Sequence, residues 1–180
     1  MMIWRARFNI YLLGALVVAI MAGWGCRSPG ERQQRKLLST LRLHLQASPD
    51  GTNAREPIPV YRAKPVWVRV EKAPFLTEEQ VSEAAVVNVV GGFALRIQFD
   101  HQGATLLERY TTANRGRKIA IFCQFGNELK DYRWLAAPVI SRRITDGVLV
   151  FTPDSTRAEA EEIAQGLNNV SKKVHTWVDR

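Results

Sequence analysis

The run Phe99-Asp100-x-x-Gly103-Ala104, followed by Thr111-Thr112-x-Asn114-x-Gly116-x-x-Ile119-Ala120-Ile121, decides how this chain folds. Just before it, Phe93, Leu95, Ile97 and Phe99 alternate with Ala94, Arg96 and Gln98, the pattern of a strand with one buried and one wetter face. Asp100 is placed to cap a helix, because a short carboxylate accepts the orphan N–H groups of a first turn. From His101 to Ala113 that helix sets Leu106, Leu107 and Tyr110 to one side. Asn114-Arg115-Gly116 ends it, with Gly116 suited to a left-handed residue after a helix. Lys118 to Phe125 is then a second strand, apolar at Ile119, Ile121, Cys123 and Phe125.

Downstream, Gly126 to Tyr132 reads as a polar loop, Trp134 to Ile140 as another apolar segment and Gly147 to Phe151 as a short strand. Thr156-x-x-Glu159 is a capping box, and Ala160, Ile163, Ala164 and Leu167 then fall at the i, i+3, i+4, i+7 spacing of an amphipathic helix. The tail from Asn168 to Arg180 carries Val174 and Trp177 without an evident packing partner. Upstream, Val66, Val68 and Val70 alternate with Trp67 and Arg69, and Pro59 and Pro65 confine that strand to an edge because proline donates nothing to a ladder. Thr77-x-x-Gln80 is a second capping box with Leu76 and Val81 as its staple. Ala84 to Val90 reads equally as a strand or as that helix continued, and Gly91-Gly92 breaks it. The order predicts an α+β fold, a small mixed or antiparallel sheet with helices packed on one face.

The first 25 residues form a signal peptide or membrane anchor. Arg5 and Arg7 precede the uncharged apolar run Ile10 to Met21, and Ala22-Gly23-Trp24-Gly25 leads into Cys26. Small residues before a cysteine are what a lipoprotein signal shows, with Cys26 lipidated after cleavage, although Gly23 and Trp24 depart from the preferred aliphatic and small residues. An uncleaved anchor over Phe8 to Gly25 and ordinary secretion are the competing readings. Residues 26–56 are expected to be a spacer. It carries an amphipathic helix from Glu31 to Gln46, with Leu37, Leu38, Leu41 and Leu45 on one stripe, and ends in the turn chemistry of Ser48 to Asn53. The folded domain is expected over 57–170 and a tail over 171–180.

The chain has 180 residues, 46% hydrophobic, and a net charge of +8. The basic residues are spread along it without interleaved stacking aromatics, which argues against nucleic acid as a partner. His44, His101 and His175 lie far apart, so no metal-ligand spacing exists, and no phosphate-cradling loop or nucleophile elbow is present. Glu159, Glu161 and Glu162 are explained by the helix dipole. Thr111, Thr112 and Asn114 sit where short polar side chains satisfy a helix end. Cys123 lies in an apolar run and reads as a buried, inert thiol. A disulfide from it to Cys26 would compete with lipidation. No catalytic, cofactor-binding or metal-ligating residue is expected, and the chain does not read as an enzyme.

The opening landmarks, with Ala137-Pro138-Val139-Ile140, Ile144-x-x-Gly147, Phe151-Thr152, Glu159-Ala160 and Leu167, resemble the head region of the first periplasmic domain of SecD, a membrane subunit that assists protein export. The resemblance extends loosely back to Leu76. It departs at Gly126 to Trp134, where the family has a tight turn. What it implies is a non-catalytic domain displayed in the cell envelope, facing the periplasm or exterior. Such a domain would be held to the membrane by its N-terminal lipid or anchor and would bind polypeptide or a protein-export partner. The alternative is a structural envelope lipoprotein that uses the same fold to bind a cell-wall component or neighbouring protein. Task-specific contacts are then expected on surfaces such as the Gly126 to Trp134 loop.

Overall fold

The computed structural model describes residues 37–48, 54 and 57–178, and the first strand among them is β1 (Thr40–Leu45). It is followed by β2 (Ile58–Val60), β3 (Val66–Val68), β4 (Leu76–Thr77), β5 (Val81–Val89), β6 (Gly92–Phe99), α1 (His101–Ala113), β7 (Ile119–Phe125), β8 (Asp131–Ala136), β9 (Val148–Phe151) and α2 (Arg157–Val178). The strands form a four-stranded sheet in the order β4-β1-β7-β8, a three-stranded sheet β5-β6-β9 and a two-stranded ribbon β2-β3. Every pairing is antiparallel. The α+β architecture is as expected, with its strands divided among three sheets.

The described part of residues 31–46 differs from the expectation. The leucine stripe predicted a helix there, but the described part is a strand, and residues 31–36 lie outside the described residues. Leu41, Leu43 and Leu45 also fit a period of two, and all three are buried in the core, with Arg42 turned out to solvent. Burying a leucine contributes roughly 2 kcal/mol, whereas helix propensities differ by about 0.5 kcal/mol per residue, so the strand wins once β7 and β4 are there to pair with. Residues ahead of Pro57 therefore belong to the main sheet.

Most other local signals become the elements they predict. The Thr77 box closes on Gln80 over a single 3-10 turn, Glu78–Gln80. Ala84 to Val90 resolves as strand, within β5, and turns at Gly91-Gly92 into β6. Asp100 accepts from the Gly103 N–H at 2.7 Å and starts α1. Gly103 has no room for a side chain, because a Cβ would lie 2.8 Å from the Gln80 Cβ and 2.9 Å from the Phe99 Cβ. Both halves of the Thr156 box are made, with the Thr156 N–H donating to Glu159 at 2.7 Å and the Glu159 N–H to Thr156 at 3.2 Å. The segment expected to be a tail continues α2 to Val178.

One core joins the two larger sheets to the helices. It includes Leu41 and Leu43 of β1, Leu95 and Ile97 of β6, Ile119 and Ile121 of β7, Leu107 of α1, and Ala160, Ile163 and Leu167 of α2. A second, smaller cluster, Val60, Val68, Val70, Ala120 and Ala137, seats the β2-β3 ribbon on the four-stranded sheet. Beyond the core stripe, Asn168 of α2 docks on β5. Its amide accepts from the Ala84 N–H and donates to the Ala84 carbonyl, both at 2.8 Å, and Ser171 donates to the Ser82 carbonyl at 3.1 Å. At Ala84 and Ser82 these side chains occupy the edge of β5 that β6 leaves unpaired.

Candidate functional site

Between β8 and β9 the chain runs as a strap, residues 137–147, whose two ends carry the Ala-Pro-Val-Ile and Ile-x-x-Gly landmarks. Its first half extends the four-stranded sheet: the Ile119 N–H donates to the Pro138 carbonyl at 2.9 Å and the Ile140 N–H to the Arg117 carbonyl at 2.8 Å. Val139 sits opposite Lys118 between these bonds, so its own N–H and carbonyl point away from β7. The second half is tied to α1. Thr111, fully buried, donates to the Leu107 carbonyl at 2.7 Å and accepts from the Ile144 N–H at 3.1 Å. Arg143 pairs with Glu108, and Arg115 donates to the Ser141 carbonyl at 3.2 Å.

The strap ends in a turn that requires glycine. Gly147 has φ +66°, and a Cβ there would lie 2.7 Å from the Cβ of Ala104. This contact links the Gly103-Ala104 landmark on α1 to the Gly147 landmark. Asp146 accepts from the Val148 N–H at 3.1 Å, and the Gly147 carbonyl accepts from the Phe99 N–H at 3.0 Å. With Leu149 opposite Ile97 and Phe151 opposite Leu95, the odd-numbered residues of β9 face β6 with their backbone groups. The N–H and carbonyl of Val150 and the carbonyl of Val148 therefore point outward.

The outer edge of β9 and the strap enclose a cleft of about 320 Å³, lined by Val139, Ile144, Val148 and Val150 with Arg142 and Arg143 on the strap. Val139 and Val150 are about half exposed, 53% and 50%. Among the described residues, nothing bonds the outward backbone groups of Val139 and Val150. The titratable side chains of the cleft are Arg142, Arg143 and Asp146, with Arg143 and Asp146 engaged as above. No nucleophile with an adjacent base is among them. What the arrangement offers is apolar surface and open hydrogen-bonding edges.

The residues singled out in the sequence take other places. Cys123 is wholly buried on β7, and burial pushes its thiol well above the usual range, which makes it a core residue and an inert one. Glu159 is held down at about 2, first by the hydrogen bond from Arg133 and then by the bond to Thr156. That arginine also donates to the Asp154 carbonyl at 2.9 Å and lies over the Phe125 ring at 5.4 Å, so it fastens the start of α2 to the β7-β8 hairpin. Thr112 and Asn114 donate to backbone carbonyls of their own helix. His44 is buried, with Nδ1 donating to the Glu71 carbonyl at 2.9 Å and its ring edge on Trp134. Among the described residues no three His, Cys, Asp or Glu side chains gather as metal ligands. Cys26 and the leader lie outside the described residues.

The Gly126 to Trp134 segment is only partly loop. A 3-10 turn, Asn127–Leu129, leads into β8 from Asp131. On the outer face of this hairpin Phe122 packs on Trp134 at 5.1 Å and near Tyr132 at 6.4 Å, leaving Tyr132 72% exposed. Period-two alternation could have found this aromatic row. The open edge of β9 had no signal in residue identity, because it consists of backbone groups whose direction depends on pairing.

The model of the SecDF P1 head subdomain matches residues 55–171. The chain belongs to this family. Two solved structures resemble the SecDF P1 head described above, each at 20% identity, TM-score 0.54 and 79% coverage of this chain. One is SecDF in a super-membrane-facing form, of which the match covers 21%; the other is a membrane component SecDF that enhances protein export, with 70% of that chain covered. At that identity the likeness establishes the fold alone. The chain spans about a fifth of the length of the first of them. No curated protein matches. Among the described residues, no helix of this P1 head chain is long and apolar enough to cross a membrane.

Proposed function

We propose that this chain is a non-catalytic protein of the cell envelope, held at the membrane by lipid on Cys26, whose P1 head domain binds a polypeptide of the export pathway. The observation that carries this reading is the family match over 55–171, since a related protein that contains such a head enhances protein export. The cleft supports it, because valine side chains and open backbone edges suit a polypeptide better than a small polar substrate.

Site-specific photocrosslinking in intact cells tests the proposal, with the crosslinker at the exposed position 142 and, separately, at 132. Adducts with translocating secreted chains or with the export channel are expected. Recovery only with cell-wall material or neighbouring lipoproteins would overturn the export reading in favour of a structural envelope role.

A further inference from the structure

We infer that the cleft takes an extended segment of another polypeptide as an added strand on the outer edge of β9, an inference that rests on the polypeptide-binding reading above. Strand addition needs an unpaired edge, room beside it and nothing that already occupies its hydrogen bonds. All three hold at Val150 and at the Val148 carbonyl. Val150 directs its N–H and carbonyl away from β6, Val148 adds its carbonyl, and nothing among the described residues bonds them. The space beside the edge is about 320 Å³, and its far wall carries Val139, whose N–H and carbonyl also point away from their own sheet. A strand entering there meets hydrogen-bonding edges on both flanks.

The contrast with the opposite edge of the same sheet strengthens the inference. At β5 the Asn168 amide and Ser171 hydroxyl occupy the backbone of Ala84 and Ser82, as edge protection requires. At β9 only the Val148 N–H is so occupied, by Asp146.

Charge selects among extended segments. Arg142 is exposed and has no carboxylate partner among the described residues, while Arg143 and Arg115 stand beside it on the strap side. Asp146 is engaged by backbone, so the rim favours a segment with a carboxylate beside its strand-forming residues. Val139, Val148 and Val150 suit small β-branched side chains at alternate positions of that segment.

The test uses the full chain in detergent and a capped hexapeptide of alternating threonine and valine with a glutamate at each end. Two further peptides carry N-methyl groups on one or the other alternate set of amides, which removes ladder donors and keeps the side chains. At least one methylated peptide is expected to bind about tenfold more weakly, the scale of lost and blocked hydrogen bonds. Val150→Pro removes the outward N–H at an edge position where proline is tolerated and is expected to weaken the parent peptide similarly. Arg142→Glu is expected to weaken it and to favour a lysine-ended peptide instead. Undiminished binding of both methylated peptides overturns strand addition whatever the variants do, and needs no variant to fold. If it falls while crosslinks to secreted chains persist, the export reading stands through another surface, such as the Phe122-Tyr132 face. If the peptides bind in register and no export component is ever captured, the export reading falls and the cleft's mode of binding stands.

Discussion

Glu159 gathers more of the fold's local chemistry than any other carboxylate among the described residues. It completes a capping box with Thr156, lies in the first turn of α2 and receives two nitrogens of Arg133 at 3.2 and 3.3 Å. Its carboxyl is held down at about 2, against 4.5 for a free glutamate, so folding favours the ionised form. The stability this contributes is fully present above pH 4.5 and is lost as pH falls towards about 2. Glu159→Gln is therefore expected to be less stable than the parent above pH 4.5 by about 1 kcal/mol, the ceiling for a partly exposed pair. The two should converge as pH approaches 2, read by chemical denaturation across that window. Parallel curves over the whole range would show that the carboxylate does not act through its charge. In the sequence the box was legible from its three-residue spacing. The Arg133 partner was not, because it arrives from a strand 26 residues away.

At the scale of elements, local signals succeeded where the determinant was local. Caps at Thr77, Asp100 and Thr156 all operate, and the period-two run from Phe93 to Phe99 is β6. They failed at β1, whose leucines satisfy both periods and whose conformation is decided by neighbours far along the chain. They also stopped short at α2, where Asn168, Asn169 and Ser171 looked like the polar start of a tail. These residues bind β5 and the Leu37 carbonyl, and so continue the helix over the sheet. Asn168 is the sharpest case, since one amide serves both backbone groups of the buried Ala84. Asn168→Leu is expected to cost about 2–3 kcal/mol in urea unfolding, two hydrogen bonds with their partners left wanting. A change under half of that would mean water replaces the amide and the edge is not truly closed.

At the scale of the whole molecule the α+β class was legible in the sequence, and the landmark residues prove to be mostly structural. Ala104 and Gly147 hold α1 against the turn into β9, Gly103 lets α1 close on Gln80 and Phe99, and Thr111 anchors the strap, so the signature that marks the family also builds the walls of the cleft. The open edge within those walls was illegible, because pairing and not residue type creates it. The N-terminal reading stands on sequence alone and has its own check. Mass spectrometry of the mature chain is expected to find a lipid-modified Cys26 at the terminus, and Cys26→Ser is expected to release the protein from membranes. An unmodified Met1 or Met2 would refute it.

The Asn168 contacts limit how the three-stranded sheet can grow. A β-sheet with two open edges is a bifunctional monomer and can polymerise. With β5 occupied at Ala84 and Ser82 and β9 free at Val150, the described three-stranded sheet offers a guest strand one end more readily than the other. An end-stopped sheet of this kind favours taking one added strand over growing from both sides.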